Sequence, residues 1–118
     1  MKPSRLPLLQ WRAQPKRAVK VSGNTVSLIA TLAAIEALRH TPAGLPVVDF
    51  TLAHASSQTE AGNQRQVEFD MPAKATGEMA TRIAQMRQGC QVTVQGFLNR
   101  KHRMSRQVVL HVTNMELS

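Results

Sequence analysis

Four permanent cations, Arg100, Lys101, Arg103 and Arg106, fall within seven residues, with His102 among them and no acid between. A cluster of this kind is suited to neutralising the phosphates of a polyanion. Three residues upstream stands Phe97, which alternates with Gln91, Thr93 and Gln95 and not with the apolar set Cys90, Val92, Val94 and Leu98. An aromatic on the polar face of a strand, beside a cationic loop, offers a flat surface to a flat base. Together the two features suit a flexible polyanion with unpaired bases, that is, single-stranded nucleic acid. Arg100, Lys101, His102, Arg103, Arg106 and Phe97 are therefore the leading candidate contacts.

The cluster needs two strands to hold it. Residues 90–98 alternate, and the alternation resumes at Val108, Leu110 and Val112. This predicts a long β-hairpin with the basic segment as its connecting arm. Two further alternating stretches precede it. In 47–55, Val48, Phe50 and Leu52 form the apolar face; in 64–71, Val67, Phe69 and Met71 do. A polar loop over 56–63, turning at Gly62-Asn63, would join them, and Pro72 would stop the second. Residues 76–87 predict a helix: Met79, Ile83 and Met86 share a face, Thr76 suits the N-cap, and Gly89 follows as a stop. Residues 24–35 fit two templates. Val26, Leu28, Ala30 and Leu32 alternate as in a strand, whereas Leu28, Leu32, Ile35 and Leu38 make a helical stripe. If this segment is a strand, the order is three strands, a helix and two strands, as in an all-β, five-stranded OB-fold barrel with its short helix between strands 3 and 4. The basic arm then becomes the fourth-to-fifth connection, a usual ligand loop of that fold. The first-to-second connection carries Arg39 and His40, and Arg65 opens the third strand. Gly96 fits a place where a barrel strand bends or packs closely.

Charge is unevenly spread. The 118 residues hold 15 Lys and Arg against 7 Asp and Glu, a formal +8. Six of those cations, and no acid, lie in the first twenty residues, leaving nine cations against seven acids in the rest. Pro3, Pro7 and Pro15 interrupt that first segment. Residues 1–22 thus read as a disordered basic leader, able to add phosphate contacts or to be inert, and residues 23–118 as the folded domain. Trp11 lies in the leader and is free to stack on a base there. With 3% aromatic residues, the core must be built mainly from Val, Leu, Ile, Met and Ala.

Several function classes recede on composition. A single cysteine allows no internal disulfide and supplies no thiolate set for zinc. The four histidines, His40, His54, His102 and His111, have no metal-ligand spacing. There is no glycine-rich phosphate loop and no paired carboxylates, so neither enzyme nor cofactor is expected. No apolar run is long enough to span a membrane. An acid-free N-terminus also suits an organelle transit peptide, but the cytoplasm is the expected compartment.

Several segments in order carry a resemblance: Asn24-Thr25-Val26-Ser27-Leu28, Thr41-Pro42-Ala43-Gly44-Leu45-Pro46 and Phe50-Thr51-Leu52-Ala53-His54. Glu60-Ala61-Gly62, Arg65-Gln66, Met71-Pro72, Val92-Thr93-Val94-Gln95-Gly96-Phe97, Val109-Leu110-His111 and Glu116-Leu117 follow. Over about residues 24–117 the chain resembles the primosomal replication protein N (PriB) family, dimeric relatives of bacterial single-stranded DNA-binding protein. The resemblance implies an OB fold with 24–35 as a strand, a homodimer, and binding to single-stranded DNA and to the PriA helicase during replication restart. Two features depart from the family pattern: the basic leader, and Glu68 at an outward third-strand position where the family tends to carry an aromatic. An acid there would repel phosphate, with loop and leader compensating. Two other functions fit the same residues. One is an adaptor that docks its basic loop on an acidic helicase surface; the other is an RNA-binding OB protein.

Overall fold

The computed structural model describes residues 18–118. The expectations for the leader, Trp11 among them, fall mostly outside these residues; Ala18–Thr25 are all exposed.

Residues 24–35 resolve as a strand. In β1 (Val26–Ile35), Ala30 and Leu32 are buried, and Val26 and Leu28 pack on the same core. The helical stripe loses because β1 serves two neighbours in turn. Val26–Thr31 pair antiparallel with β5 (Gln91–Arg100); from Thr31 onward the strand pairs with β3 (Pro46–Glu60). A register shift between Leu32 and Ala34 marks the bend. A two-residue strand, β2 (Arg39–His40), lies within the first connection and pairs with the start of β3.

β3 and β4 (Asn63–Thr76) form one continuous hairpin, paired from Val47↔Thr76 out to Glu60↔Asn63. The predicted loop over 56–63 is therefore mostly strand, and the turn residues are Ala61 and Gly62, not Gly62 and Asn63. Both have positive φ, 52° and 80°, as a two-residue type I′ turn requires. Polar residues here signalled two solvated faces, not a loop. Cross-strand hydrogen bonds support the tip, with the Ser57 hydroxyl donating to the Gln64 amide oxygen at 2.6 Å. Nor does Pro72 end β4. It pairs opposite Thr51, and β6 (Val108–Leu117) joins the other side of β4 only at Ala73–Lys74. On that open edge a missing N–H costs no ladder bond.

Helix α1 (Glu78–Ala84) is shorter than 76–87. Thr76 is the last residue of β4, and Gly77 is the N-cap, with no side-chain capping bond. Met86 lies beyond the helix but still packs on the core. Ala80 and Ile83 are fully buried, and the Arg82 guanidinium donates to the Met115 carbonyl at 2.8 Å, fastening helix to β6.

The strands close in the order β1-β5-β6-β4-β3 and back to β1, with β4 and β6 parallel. This is the closed five-stranded OB barrel expected from the element order if residues 24–35 form a strand. Its core is aliphatic around Phe50: Leu32, Val48, Leu52, Ile83, Val92, Val94, Leu110 and Met115. Each such side chain stabilises the fold by about 1.5–3 kcal/mol relative to exposure. Three residues of the expected apolar faces are missing from it: Val67, which is half-buried, Val108, which is exposed, and Phe69. Phe69 is 38% exposed, tilted against His54 with ring centroids 5.0 Å apart. At that point β4 pairs only with β3, so no opposing layer exists to bury it.

Candidate nucleic-acid interface

β5 carries Arg100 as its last residue and β6 begins at Val108, so the arm between them is short. Its backbone is held by bonds from Lys101 N–H to the Gln107 carbonyl and from Ser105 N–H to the His102 carbonyl, each 2.9 Å. The Gln107 N–H donates to the Ser105 hydroxyl at 3.0 Å. Side chains point away from this scaffold: Arg100, Lys101, His102, Arg103 and Arg106 are all exposed. Among the described residues there are two side-chain ion pairs, Arg39–Asp49 and Arg65–Glu60, and neither involves the arm.

Phe97 lies on the barrel's outer face, as the alternation predicts, with 38% of its surface exposed. One side of its ring is stacked against the His111 imidazole, with centroids 5.0 Å apart and planes 7° from parallel. The strand beneath is fixed by Asn24, whose side-chain amide donates to the Leu98 carbonyl at 2.9 Å while its oxygen accepts from the Leu98 N–H at 3.0 Å. The point where the N-terminal segment joins the barrel thus sits at the base of the arm.

Strand register places Phe97 in a row. Phe97 on β5 is opposite His111 on β6, His111 beside Lys74 on β4, and Lys74 opposite Asp49 on β3. Lys74 and His111, together with arm residues 99–103, line a cleft of about 360 Å³. Burial, and after it the charge of Lys74, lowers the His111 pKa below the ordinary histidine value, so the imidazole is neutral at pH 7. Asp49 is taken up by Arg39. A pair this exposed contributes less than about 1 kcal/mol, so its main effect is to offset the Arg39 charge.

The structure therefore brings Phe97, Arg100, Lys101, His102 and Arg103 together and leaves Arg106 on the same arm outside the cleft. Arg39 sits at the far end of the row. Arg65 does not join them: nine residues along β4 from Lys74, about 30 Å of extended strand, it pairs with Glu60 at 3.3 Å. Sequence reasoning missed Lys74 because Pro72 was taken as the end of the strand. Nothing in its spacing set His111 apart from the other three histidines. The available signal was the run Ala73-Lys74-Ala75, an alternation with a cation on its outer face.

A second concavity, a broad groove, lies on another side of the barrel, between the first half of β1 and the distal β3–β4 hairpin. Ile29, His54, Phe69, Glu68 and Asp70 line it. A carbonyl only accepts, so the His54 Nδ1–H donates to the Ile29 oxygen at 2.7 Å, and its Nε2 accepts from the Ser56 hydroxyl at 2.8 Å. With Glu68 and Asp70 exposed there, this face of the third principal strand is a poor phosphate surface. Among the described residues no group of three or more His, Cys, Asp and Glu is placed to hold a metal ion. Cys90 is half-buried at the edge of the core.

The family described as "another single-strand binding protein family" matches residues 24–114. The replication restart protein PriB of Nitrosomonas europaea is 38% identical over 103 residues, covering 87% of this chain and 95% of that protein. PriB of Neisseria meningitidis serogroup B is 42% identical over 93 residues, covering 79% and 92%. The chain belongs to the PriB family of single-strand binding proteins. The solved structure of PriB from Ralstonia solanacearum superposes with a TM-score of 0.76 at 36% identity, over 81% of this chain and 98% of that one. The single-strand binding family match takes in β1, β3, β4, β5, the helix, β6 as far as Asn114 and both walls of the cleft, and it begins at Asn24. PriB relatives are binding proteins, not enzymes.

Proposed function

We propose that this chain is a single-stranded DNA-binding accessory protein of the replication-restart primosome, working in the cytoplasm. Its relatives carry the name replication restart protein, and its family is one of single-strand binders. The observation that carries the mechanism is the unpaired cationic arm beside the half-exposed Phe97 ring. Phosphates are drawn to Arg100, Lys101, His102, Arg103 and Arg106, and a base then stacks on the part of Phe97 that His111 leaves open. Arg39 and Arg65, each held by a carboxylate, are secondary contacts. Residues 1–22 act as a basic leader to a domain of residues 23–118. The leader joins beside the arm and so adds phosphate contacts where the strand already lies.

The same reading includes a homodimer and a helicase partner, PriA. Val26–Ala30 pair with β5 on one side only, and Ile29, 53% exposed, looks into the groove shared with Phe69. A second copy would cover this open strand edge and its apolar neighbours.

Titration of labelled oligo-dT with the full chain at moderate salt, with unlabelled DNA and RNA oligomers of matched length as competitors, tests the reading. The expected result is saturable binding that persists at moderate salt and is competed more strongly by DNA. Weak binding that vanishes as salt rises would favour a protein-docking adaptor. Stronger competition by RNA would favour an RNA-binding role.

A further inference from the structure

We propose that the cleft between the basic arm and the β4–β6 seam is a phosphate subsite, with Lys74 and His111 as its inner ligands and proton uptake by His111 accompanying occupancy. The inference rests on the reading that the arm is the DNA surface, and adds to it two residues and a proton.

The lining is one-sided in charge. Arm residues 99–103 form one wall, Lys74 and His111 the other, and no carboxylate lines it. Lys74 is held in place by its buried neighbours Ala73 and Ala75, and parallel pairing sets it beside His111. On β3, the nearest acid in the row, Asp49, is engaged by Arg39. Lys74 from β4 and the uncharged Phe97 ring from β5 are the direct neighbours of His111, and Arg100, Lys101, His102 and Arg103 line the same cleft. Every charged group among them is a cation or becomes one. A phosphate placed in the cleft reverses this field. It gives Lys74 a counterion, offsets the repulsion that adds to burial in keeping the imidazole neutral, and accepts an N–H from the imidazolium. By linkage, an anion that favours protonated His111 binds more tightly as pH falls. The phosphate is either an internal diester of the strand or a terminal monoester; both present the same oxygens.

The test is ring-NMR titration of His111 in the full chain carrying His102→Gln, free and saturated with oligo-dT. The oligo-dT is used first without terminal phosphates and then with a 5′-phosphate. The expected midpoint of His111 is higher in the complex. Each unit of rise is a tenfold gain in affinity below the free-state midpoint relative to pH 8. An equal rise with both oligomers assigns an internal diester, and a rise confined to the phosphorylated one assigns the terminus. In the same background Lys74→Gln should raise the free-state midpoint and flatten the log–log salt dependence of binding by about 0.7. A His111 midpoint unchanged by saturating DNA, or an unchanged salt slope in Lys74→Gln, overturns the subsite. The two failures separate through a variant with Arg100, Lys101, Arg103 and Arg106 all replaced by Gln. If that variant loses affinity while Lys74 and His111 are silent, only the cleft is wrong; if it keeps wild-type affinity, the arm is not the DNA surface.

Discussion

Phe97 has a place in the strand and none in the core, and an outward aromatic of that kind needs a use. His111 stacks on one side of its ring, and 38% of the residue's surface stays exposed. Phe97→Ala should weaken oligo-dT binding by about 1–3 kcal/mol, read by fluorescence titration of the folded variant. Equal affinity would remove stacking from the mechanism. His111 also makes the fold respond to pH. In the unfolded chain an unhindered imidazole takes up its proton near pH 6.5, whereas in the fold burial and Lys74 delay it to lower pH. Between those two values the unfolded state binds more protons. The contribution to stability is therefore intact above about pH 6.5 and is lost as pH falls toward the folded-state value. The melting temperature of the wild type should fall more between pH 7 and 5 than that of His111→Gln. At this scale the arm and Phe97 were legible, because acid-free clustering and strict alternation are local patterns. Lys74 was not, because whether a proline ends a strand depends on which side of it a neighbour joins, and that is tertiary information.

Among the elements, the β5–β6 hairpin depends on Gly96. A Cβ built there would come 1.9 Å from the His111 carbonyl oxygen and 3.1 Å from the Val112 Cα, both backbone. The β5–β6 pairing also shifts register between Gln95 and Gly96, and the Thr113 hydroxyl donates across it to the Gln95 carbonyl at 3.2 Å. Gly96→Ala must push the two strands apart just below the arm. Denaturant unfolding should show a loss of about 1–3 kcal/mol or more, as for an overpacked site. The distal hairpin offers the opposite case. Ala61 holds φ 52°, a conformation that costs a side chain other than Gly, Asn or Asp roughly 1–2 kcal/mol. Ala61→Asn creates the favoured Asn-Gly turn and should raise stability by up to about 1 kcal/mol. The alternation marked where strands run but not where the polar ones end. Serines, threonines and glutamines suit a solvated two-stranded ribbon as well as a loop, and only pairing tells them apart. The ambiguity of residues 24–35 has a local origin, since the register shift between Leu32 and Ala34 breaks the two-residue period and brings Ile35 to the core side with Leu28 and Leu32.

Across the folded domain, cations concentrate at one place. Outside the first twenty residues the chain holds nine cations against seven acids, and four of the nine stand on the arm. On the proposed reading the barrel is a nearly neutral support for the arm, and Glu68 and Asp70, which line the groove of the third principal strand, make that face a poor phosphate surface. Barrel topology was readable from element order only with residues 24–35 taken as a strand, which the family resemblance implied and the periodicity did not. The cleft was not, since it is closed by two strands that are distant in sequence and parallel in space. The account as a whole turns on the arm carrying the phosphate contacts. Its most direct test is the salt dependence of oligo-dT binding, measured for the full chain and for the chain with Arg100, Lys101, Arg103 and Arg106 replaced by Gln. A single strand releases about 0.7 counterion per neutralised phosphate, so the log–log slope should flatten by about 3 in the variant. Parallel lines for the two proteins would contradict the account.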